Sequence, residues 1–382
     1  MTAISEPFAA KIHATCVGDN PIKLWGISNK ERTRRIASAA GHIWLDANID
    51  GAQMITNASF AWDPTLYQHV AKQPGLVITK GGVPVVAHCN NDMTAKAVAA
   101  AMSANNSIAD TQGLTIIAIE SGWQIENKQL RKRISPFIDR LIPENIRSLE
   151  RASYFGAYKG VTDILTKYLW PEWALVLTRV AAKINMSPNQ VTAIGFILCL
   201  LATYLMWYGH YWWAMAAGLI FMVLDTVDGK LARCTITSSK WGDIFDHGID
   251  LVHPPFWWWA WAVGLSAWGQ AYSPRTFWIV MAAIVGGYIV QRLIEGAFIQ
   301  RNNMMHIHVW EKIDSQFRLI TARRNPNMII LFLSMLLIRP DIGLIWVAIW
   351  TILSCLFHFV RLLQAEMRRA KNLPIRSWMD EI

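Results

Sequence analysis

From residue 191 onward the charged side chains of this 382-residue chain are gathered into clumps, separated by uncharged stretches at 191–224, 251–274, 276–291, 325–338 and 342–360. Apolar runs of about 18 residues or more rarely occur in soluble folds, whereas a bilayer demands them of every helix that crosses it. Membrane spans joined by polar loops are therefore the architecture this half of the chain can adopt. Composition agrees: 53% of residues are apolar and 16% charged, against about a quarter charged in soluble proteins. Both halves carry similar charge, so its placement is the informative quantity. Fourteen of the 20 Trp lie beyond residue 190, several (Trp207, Trp212, Trp213, Trp268, Trp278) near the ends of apolar runs, as in interfacial belts.

The run 191–224 is too long for one helix and is broken at Tyr208-Gly209-His210-Tyr211. Spans are expected near 191–208, 211–232, 243–267, 276–299, 327–338 and 342–363, six in all, the fifth short enough to be re-entrant. Lys230, Arg233 and Lys240 mark one loop as cytoplasmic, Arg301, Lys312, Arg318, Arg323 and Arg324 another, and Arg361, Arg368, Arg369, Lys371 and Arg376 the tail. The intervening loops offer Arg275 and Arg339, so both termini are expected in the cytoplasm. Residues 1–150 begin polar, without a signal peptide, and read as a cytoplasmic α/β domain. Strands are expected at 75–79, 83–89 and near 113–119, and helices near 30–40, 64–72 and 94–104. Residues 151–190 are a juxtamembrane segment, with two short amphipathic helices over 160–186 broken at Pro171, then a membrane domain over 191–365 and a basic tail, 366–382. The fold class is a membrane all-α bundle of six transmembrane helices with juxtamembrane amphipathic helices and an N-terminal α/β domain. The five scattered cysteines fit a reducing compartment.

An Asp inside a membrane helix costs on the order of 2.5–3.5 kcal/mol and needs a partner or a role. Asp225 and Asp228 are three apart, Asp246 and Asp250 four apart, so each pair shares a helix face. If their helices are antiparallel neighbours, four carboxylates converge and need a counter-charge. A divalent cation supplies it, and all-oxygen ligation suits Mg²⁺ or Mn²⁺. Gly229, Ala232 and Gly242 leave room beside the helix backbones, and Arg233 adds a cation suited to a phosphate oxygen. A pyrophosphate needs such a set.

Asp225-Thr-Val-Asp228-Gly229-Lys-Leu-Ala232-Arg233, eight residues, then Gly242-Asp-Ile-Phe-Asp246-His-Gly-Ile-Asp250 resembles the complete D-x-x-D-G-x-x-A-R-x₈-G-x₃-D-x₃-D signature of the CDP-alcohol phosphotransferases. The resemblance covers roughly 155–365. It implies a six-helix membrane enzyme, usually a homodimer, that cleaves a CDP-alcohol, releases CMP and passes the phospho-group to a hydroxyl. By position it makes Asp225, Asp228 and Asp246 metal ligands, with Asp250 a further ligand or the base, and puts Gly229, Ala232 and Arg233 against the cytidine nucleotide. Ser187-Pro188-Asn189-Gln190-Val191-Thr192 is similar to the segment before the first span, with Asn189 and Thr192 near the nucleotide; a Ser-capped helix start explains it nearly as well. Phe245-Asp246-His247-Gly248-Ile249-Asp250 is similar to the Phe-Asp-His-Gly-x-Asp of choline and ethanolamine phosphotransferases. His247, Asp250 and His253 are the alternatives for a general base, and Pro254-Pro255 is expected to kink the helix.

The implied activity moves a phospho-alcohol from a CDP-alcohol to a lipid hydroxyl, with no nucleic-acid partner. Phosphatidyl transfer from CDP-diacylglycerol to a polar alcohol is the alternative within the family. A divalent-cation transporter and a non-catalytic membrane anchor are the alternatives outside it. Arg292 and Glu295 are spaced to pair, and Thr321-Ala-Arg323-Arg324-Asn325-Pro-Asn327 suits either an anionic ligand or an interfacial anchor. Lys159, Thr162 and Asp163 resemble a stretch preceding the spans in some relatives. Trp25-Gly26 with Arg32, Arg34 and Arg35 resembles nucleotidyltransferase domains fused to some members, but only Val17-Gly18-Asp19-Asn20 stands where a Gly-rich loop is needed. A degenerate, non-catalytic scaffolding or regulatory domain is expected.

Overall fold

A computed structural model of the chain describes residues 11–46, 48–109, 113–119, 123–127, 130 and 132–380. The chain forms two compact units. One is built from the chain up to Tyr158 with Ala182–Asn185 and Lys230–Thr237, the other from Lys159–Ala181, Met186–Gly229 and the chain from Ser238.

The first unit is organised by a six-stranded mixed sheet in the order Ile43–Trp44, His13–Val17, Met54–Asn57, Val83–His88, Leu76–Lys80, Thr115–Ala118. His13–Val17 runs parallel to both neighbours, Val83–His88 antiparallel to both of its own. Successive strand residues point to opposite faces, and here both faces are covered. Met54, Leu76 and Ile78 join Ile36 of helix α1 (Asn29–Ala39) and Leu66, Tyr67 and Val70 of α2 (Pro64–Ala71). Ile55 and Val77 join Val98 and Met102 of α3 (Asp92–Ala104). Each helix starts on a side-chain cap: Ser28, Asp63 and Asn91 accept from backbone amides of the first turn. These helices and the strands near 76, 83 and 115 lie where the sequence pattern puts them. The strands His13–Val17 and Met54–Asn57 and the helix α4 (Ile146–Gly156) are additional. The two strands are short and almost wholly buried, so they show no apolar–polar alternation.

The second unit is helical. A π-helical turn over Leu165–Leu169 precedes α5 (Pro171–Lys183), so Pro171 opens that helix at a position where its missing N–H is harmless. There follow α6 (Pro188–Trp207), α7 (Tyr211–Cys234), α8 (Lys240–Gly264), α9 (Pro274–Met281) continuing through a π turn into α10 (Gly287–Arg301), α11 (Lys312–Phe317), α12 (Arg324–Leu336) and α13 (Pro340–Ala370). Among the described residues three helices are long and apolar enough to cross a membrane by length and composition: α6, the continuous helix Pro274–Arg301 and α13. Their outward faces are apolar, with Ile197, Leu200, Leu201, Ile352, Leu353 and Leu356 exposed. The remaining long helices, α7 and α8, hold the four carboxylates, and α12 has 13 residues.

Close packing joins α6, α7 and α8. The Trp257 indole donates to the Cys199 carbonyl (3.3 Å) and the Tyr211 hydroxyl to that of Trp261 (2.6 Å). Gly264 approaches the end of α6 so closely that a Cβ there would lie 2.0 Å from the Met206 carbonyl oxygen. Helix α8 runs through Pro254 and Pro255, where the sequence leads one to expect a kink, without ending there. Pro255 has no N–H for the Leu251 carbonyl, and the Tyr288 hydroxyl donates to that carbonyl instead (3.0 Å).

Candidate metal and nucleotide site

Helix starts and small residues set this site. Ser187 and Gln190 form a reciprocal capping box with Pro188 in the first turn, which fixes where α6 begins. Thr192, one turn in, donates its hydroxyl to Asp228 Oδ2 on α7 at 2.6 Å. Asp228 is buried, with 3% of its surface exposed. On α8 the Ser239 hydroxyl accepts from the Gly242 amide (3.0 Å), placing Asp246 and Asp250 on the following turns. A Cβ on Gly242 would lie 3.0 Å from Asn189 Oδ1, so the glycine is what lets the first turns of α6 and α8 meet. Asn189 and Gly242, far apart in sequence, are thereby neighbours.

At the carboxylates α7 and α8 are also linked through α12. Arg324 donates from Nη1 to Asp250 Oδ1 and from Nη2 to Asp225 Oδ2, both at 2.7 Å. Its guanidinium lies over the Phe221 ring, 4.8 Å from the centroid, and its Nε donates to Asn325 Oδ1 (3.1 Å). One planar cation thus draws together carboxylates of two helices, a geometry a lysine does not reproduce. Asn325 continues the chain of contacts, donating to Asp163 Oδ1 (3.0 Å), which also accepts from the Leu165 and Thr166 amides. Burial alone would push the Asp163 carboxyl up, but Arg318, the Thr166 amide and Asn325 hold it below the ordinary carboxylate range.

The two histidines differ. His247 is exposed, its Nδ1 donating to the Asp243 carbonyl (2.8 Å). His253 is buried edge-on to Phe221 and Trp257, its Nδ1 donating to the Ile249 carbonyl (2.6 Å). Its Nε2 has no hydrogen-bond partner among the described residues. Gly229 follows Asp228 on α7, whereas Ala232 and Arg233, on the last turn of that helix, belong to the unit that contains the α/β domain.

Among the described residues the tightest grouping of ligand-type atoms lies elsewhere: Glu295, His308 and His358, all buried and within 4.8 Å of one another. Arg323 Nη2 contacts both Glu295 oxygens at 2.7 Å and His308 Nε2 at 3.1 Å, and Arg292 adds a donor to Glu295 at 3.2 Å. Guanidinium groups of Arg323 and Arg292 contact the carboxylate, so the cluster is an ion-pair network. It contains the expected Arg292–Glu295 pair.

The sequence model of the CDP-alcohol phosphatidyltransferase family matches residues 185–360. The archaetidylinositol phosphate synthase of Pyrococcus horikoshii is 28% identical over 191 residues, 49% of this chain and 87% of that protein. Cholinephosphotransferase 1 of Danio rerio is 37% identical over 124 residues, 29% of this chain and 31% of that protein. An uncharacterized class-I member of the CDP-alcohol phosphatidyltransferase family from Schizosaccharomyces pombe is 36% identical over 108 residues, 25% of this chain and 28% of that protein. The match therefore spans less than a third of these two eukaryotic relatives' length and most of the archaeal one's.

Proposed function

Because residues 185–360 belong to the CDP-alcohol phosphatidyltransferase family, we propose that this protein is an integral membrane enzyme that transfers a phospho-alcohol from a CDP-alcohol to a lipid hydroxyl and releases CMP. The observation that carries the reading is the meeting of one signature carboxylate from each helix, Asp225 of α7 and Asp250 of α8, on one guanidinium, Arg324. Arg324 contacts two of the four carboxylates, Asp225 and Asp250, and the donor atoms of all four are oxygen. The set fits Mg²⁺ or Mn²⁺, which Asp225, Asp228, Asp246 and Asp250 would hold. A bound divalent cation would neutralise the pyrophosphate of the donor.

The chain's own residues supply the rest. Gly229, Ala232 and Arg233, with Asn189 and Thr192, hold the nucleotide. The acceptor hydroxyl oxygen attacks the phosphorus that bears the alcohol, the bond from that phosphorus to the CMP oxygen breaks, and the hydroxyl proton passes to His247 or Asp250. His247 is the better placed histidine, because its Nδ1 is committed to the Asp243 carbonyl and its exposed ring leaves Nε2 to accept. His253, enclosed by aromatic rings, is less suited to meeting a lipid hydroxyl.

In this reading six helices cross the membrane, α7, α8 and α12 among them, with both termini and the site on the cytoplasmic side by loop charge. Trp173, Val176, Leu177, Val180 and Ile184 form an exposed apolar stripe on and just past α5, which supports its lying on the membrane surface. The α/β domain is a non-catalytic part, and the enzyme works as a homodimer.

A second reading, phosphatidyl transfer from CDP-diacylglycerol to a polar alcohol, draws support from the archaeal synthase aligned over 87% of its length. Purified protein in detergent, given CDP-choline, CDP-ethanolamine, CDP-glycerol, CDP-inositol or CDP-diacylglycerol with lipid or polar acceptors, separates the two. CMP release from a water-soluble donor with diacylglycerol is the expected result; release from CDP-diacylglycerol alone reverses the direction of transfer. Thr192→Val should weaken Mn²⁺ binding about ten- to a hundredfold, the usual effect of losing a hydrogen bond to a metal-bound carboxylate. Manganese titration followed by electron paramagnetic resonance reads this directly, and an unchanged affinity would remove Asp228 from the metal set.

A further inference from the structure

Residues 230–237 lie between the two halves of the signature and are built into the same compact unit as the α/β domain. Lys230 is buried; its Nζ donates to the Ala157 carbonyl at the end of α4 (3.0 Å) and stands 3.0 Å from the Tyr158 ring centroid. A cation at a helix C-terminus over an aromatic face is favourable twice over. Leu231 and Cys234 are buried, the latter with Ser153 Oγ 3.9 Å from its sulfur, while the Trp25 indole donates to that same Ser153 oxygen (3.3 Å). Arg35 of α1 donates from Nη1 to the Thr235 carbonyl (2.8 Å) and from Nε to Glu31 (2.7 Å). Arg34 and Arg35 together hold the Glu31 carboxyl down at about 2, so this anchor stays charged. Ile236 packs on the sheet core around Ala14, Phe60 and Trp62.

The arginines beside Trp25-Gly26 thus have structural occupations. Arg32 is buried against the Trp62 carbonyl (2.8 Å), Arg34 pairs with Glu31, and Arg35 grips the segment after α7. We propose that the α/β domain is a clamp that sets the position of Ala232 and Arg233, with Arg35, Lys230 and Ile236 as positioning residues for nucleotide binding. The inference rests on the CDP-alcohol reading for its ligand, a cytidine nucleotide. It assigns the domain a role that needs no nucleotidyltransferase chemistry.

Arg35→Ala and Arg35→Lys in the full chain test it with two independent readouts. Labelling of Cys234 by a maleimide, located by mass spectrometry, should accelerate about tenfold in Arg35→Ala, the scale of one lost charge-assisted hydrogen bond. The KM for the CDP-alcohol should rise by a similar factor with kcat and Mn²⁺ affinity little changed, and lysine should restore part of both. Unchanged Cys234 labelling overturns the clamp. Faster labelling with an unchanged KM overturns its role in nucleotide binding, and parallel loss of kcat, Mn²⁺ affinity and thermal stability makes Arg35 merely structural. A wild-type protein that releases no CMP from any donor would overturn the catalytic reading alone, since the labelling contrast still decides the clamp.

Discussion

Asp228→Asn should lower divalent-dependent CMP release by about a thousandfold, the upper end of what loss of one preorganised electrostatic contact costs an enzyme. Asp228 is the most buried of the four signature carboxylates, and it accepts the Thr192 hydroxyl at 2.6 Å. An amide of the same shape removes the charge that a divalent cation needs and can turn N–H groups toward the site. Asp246→Asn, on α8, should act in the same direction. The measurement is CMP release by purified protein in detergent across a Mn²⁺ titration, with a melting curve to show that the helices still pack. A variant that keeps a tenth or more of wild-type release would remove Asp228 from the site. The same experiment separates the rivals outside the family: a membrane anchor shows no divalent-dependent release in the wild type, and a cation transporter carries Mn²⁺ across vesicles without a nucleotide.

What was legible in the sequence was what depends on local spacing. Asp225 with Asp228 and Asp246 with Asp250 are one helical turn apart, so a shared face follows from the helix period alone. The turn at Tyr208–Tyr211 was legible because Gly209 takes a left-handed conformation, φ 74°, between two apolar runs. Arg324 was not legible as a partner of the carboxylates, because Asp225 and Asp250 lie 99 and 74 residues away in the chain. In sequence it is one of several cations at the start of an apolar run. The partner of the Leu251 carbonyl left free by Pro255 was hidden for a similar reason: it is Tyr288, on another helix. The segment after Gly229 carried a second message that periodicity hides. Cys234 and Ile236 look like the end of a span, yet their partners are Ser153 and the core of the α/β unit.

Arg324 yields the other large effect. Its two terminal nitrogens already occupy lone pairs of Asp225 and Asp250 at 2.7 Å, and its side chain is 10% exposed. A divalent cation on these carboxylates must share them with a fixed positive charge, which disfavours its binding. Arg324→Gln should therefore tighten Mn²⁺ binding about tenfold or more, a modest value for removing a like charge from a partly buried site. CMP release should nevertheless fall about a hundredfold or more, because the same guanidinium is the one seen bridging α7 and α8 and is suited to a phosphoryl oxygen. Opposite changes in metal affinity and turnover are the diagnostic result, since general unfolding would lower both. Arg324→Lys keeps the charge without the two-pronged bridge, so its Mn²⁺ affinity should stay near wild type while turnover remains low. If Arg324→Gln binds Mn²⁺ no more tightly than wild type, the pairing does not compete with a cation. The arginine would then be a strut between helices, and the metal site would have to be built from Asp228 and Asp246 without the pair it bridges.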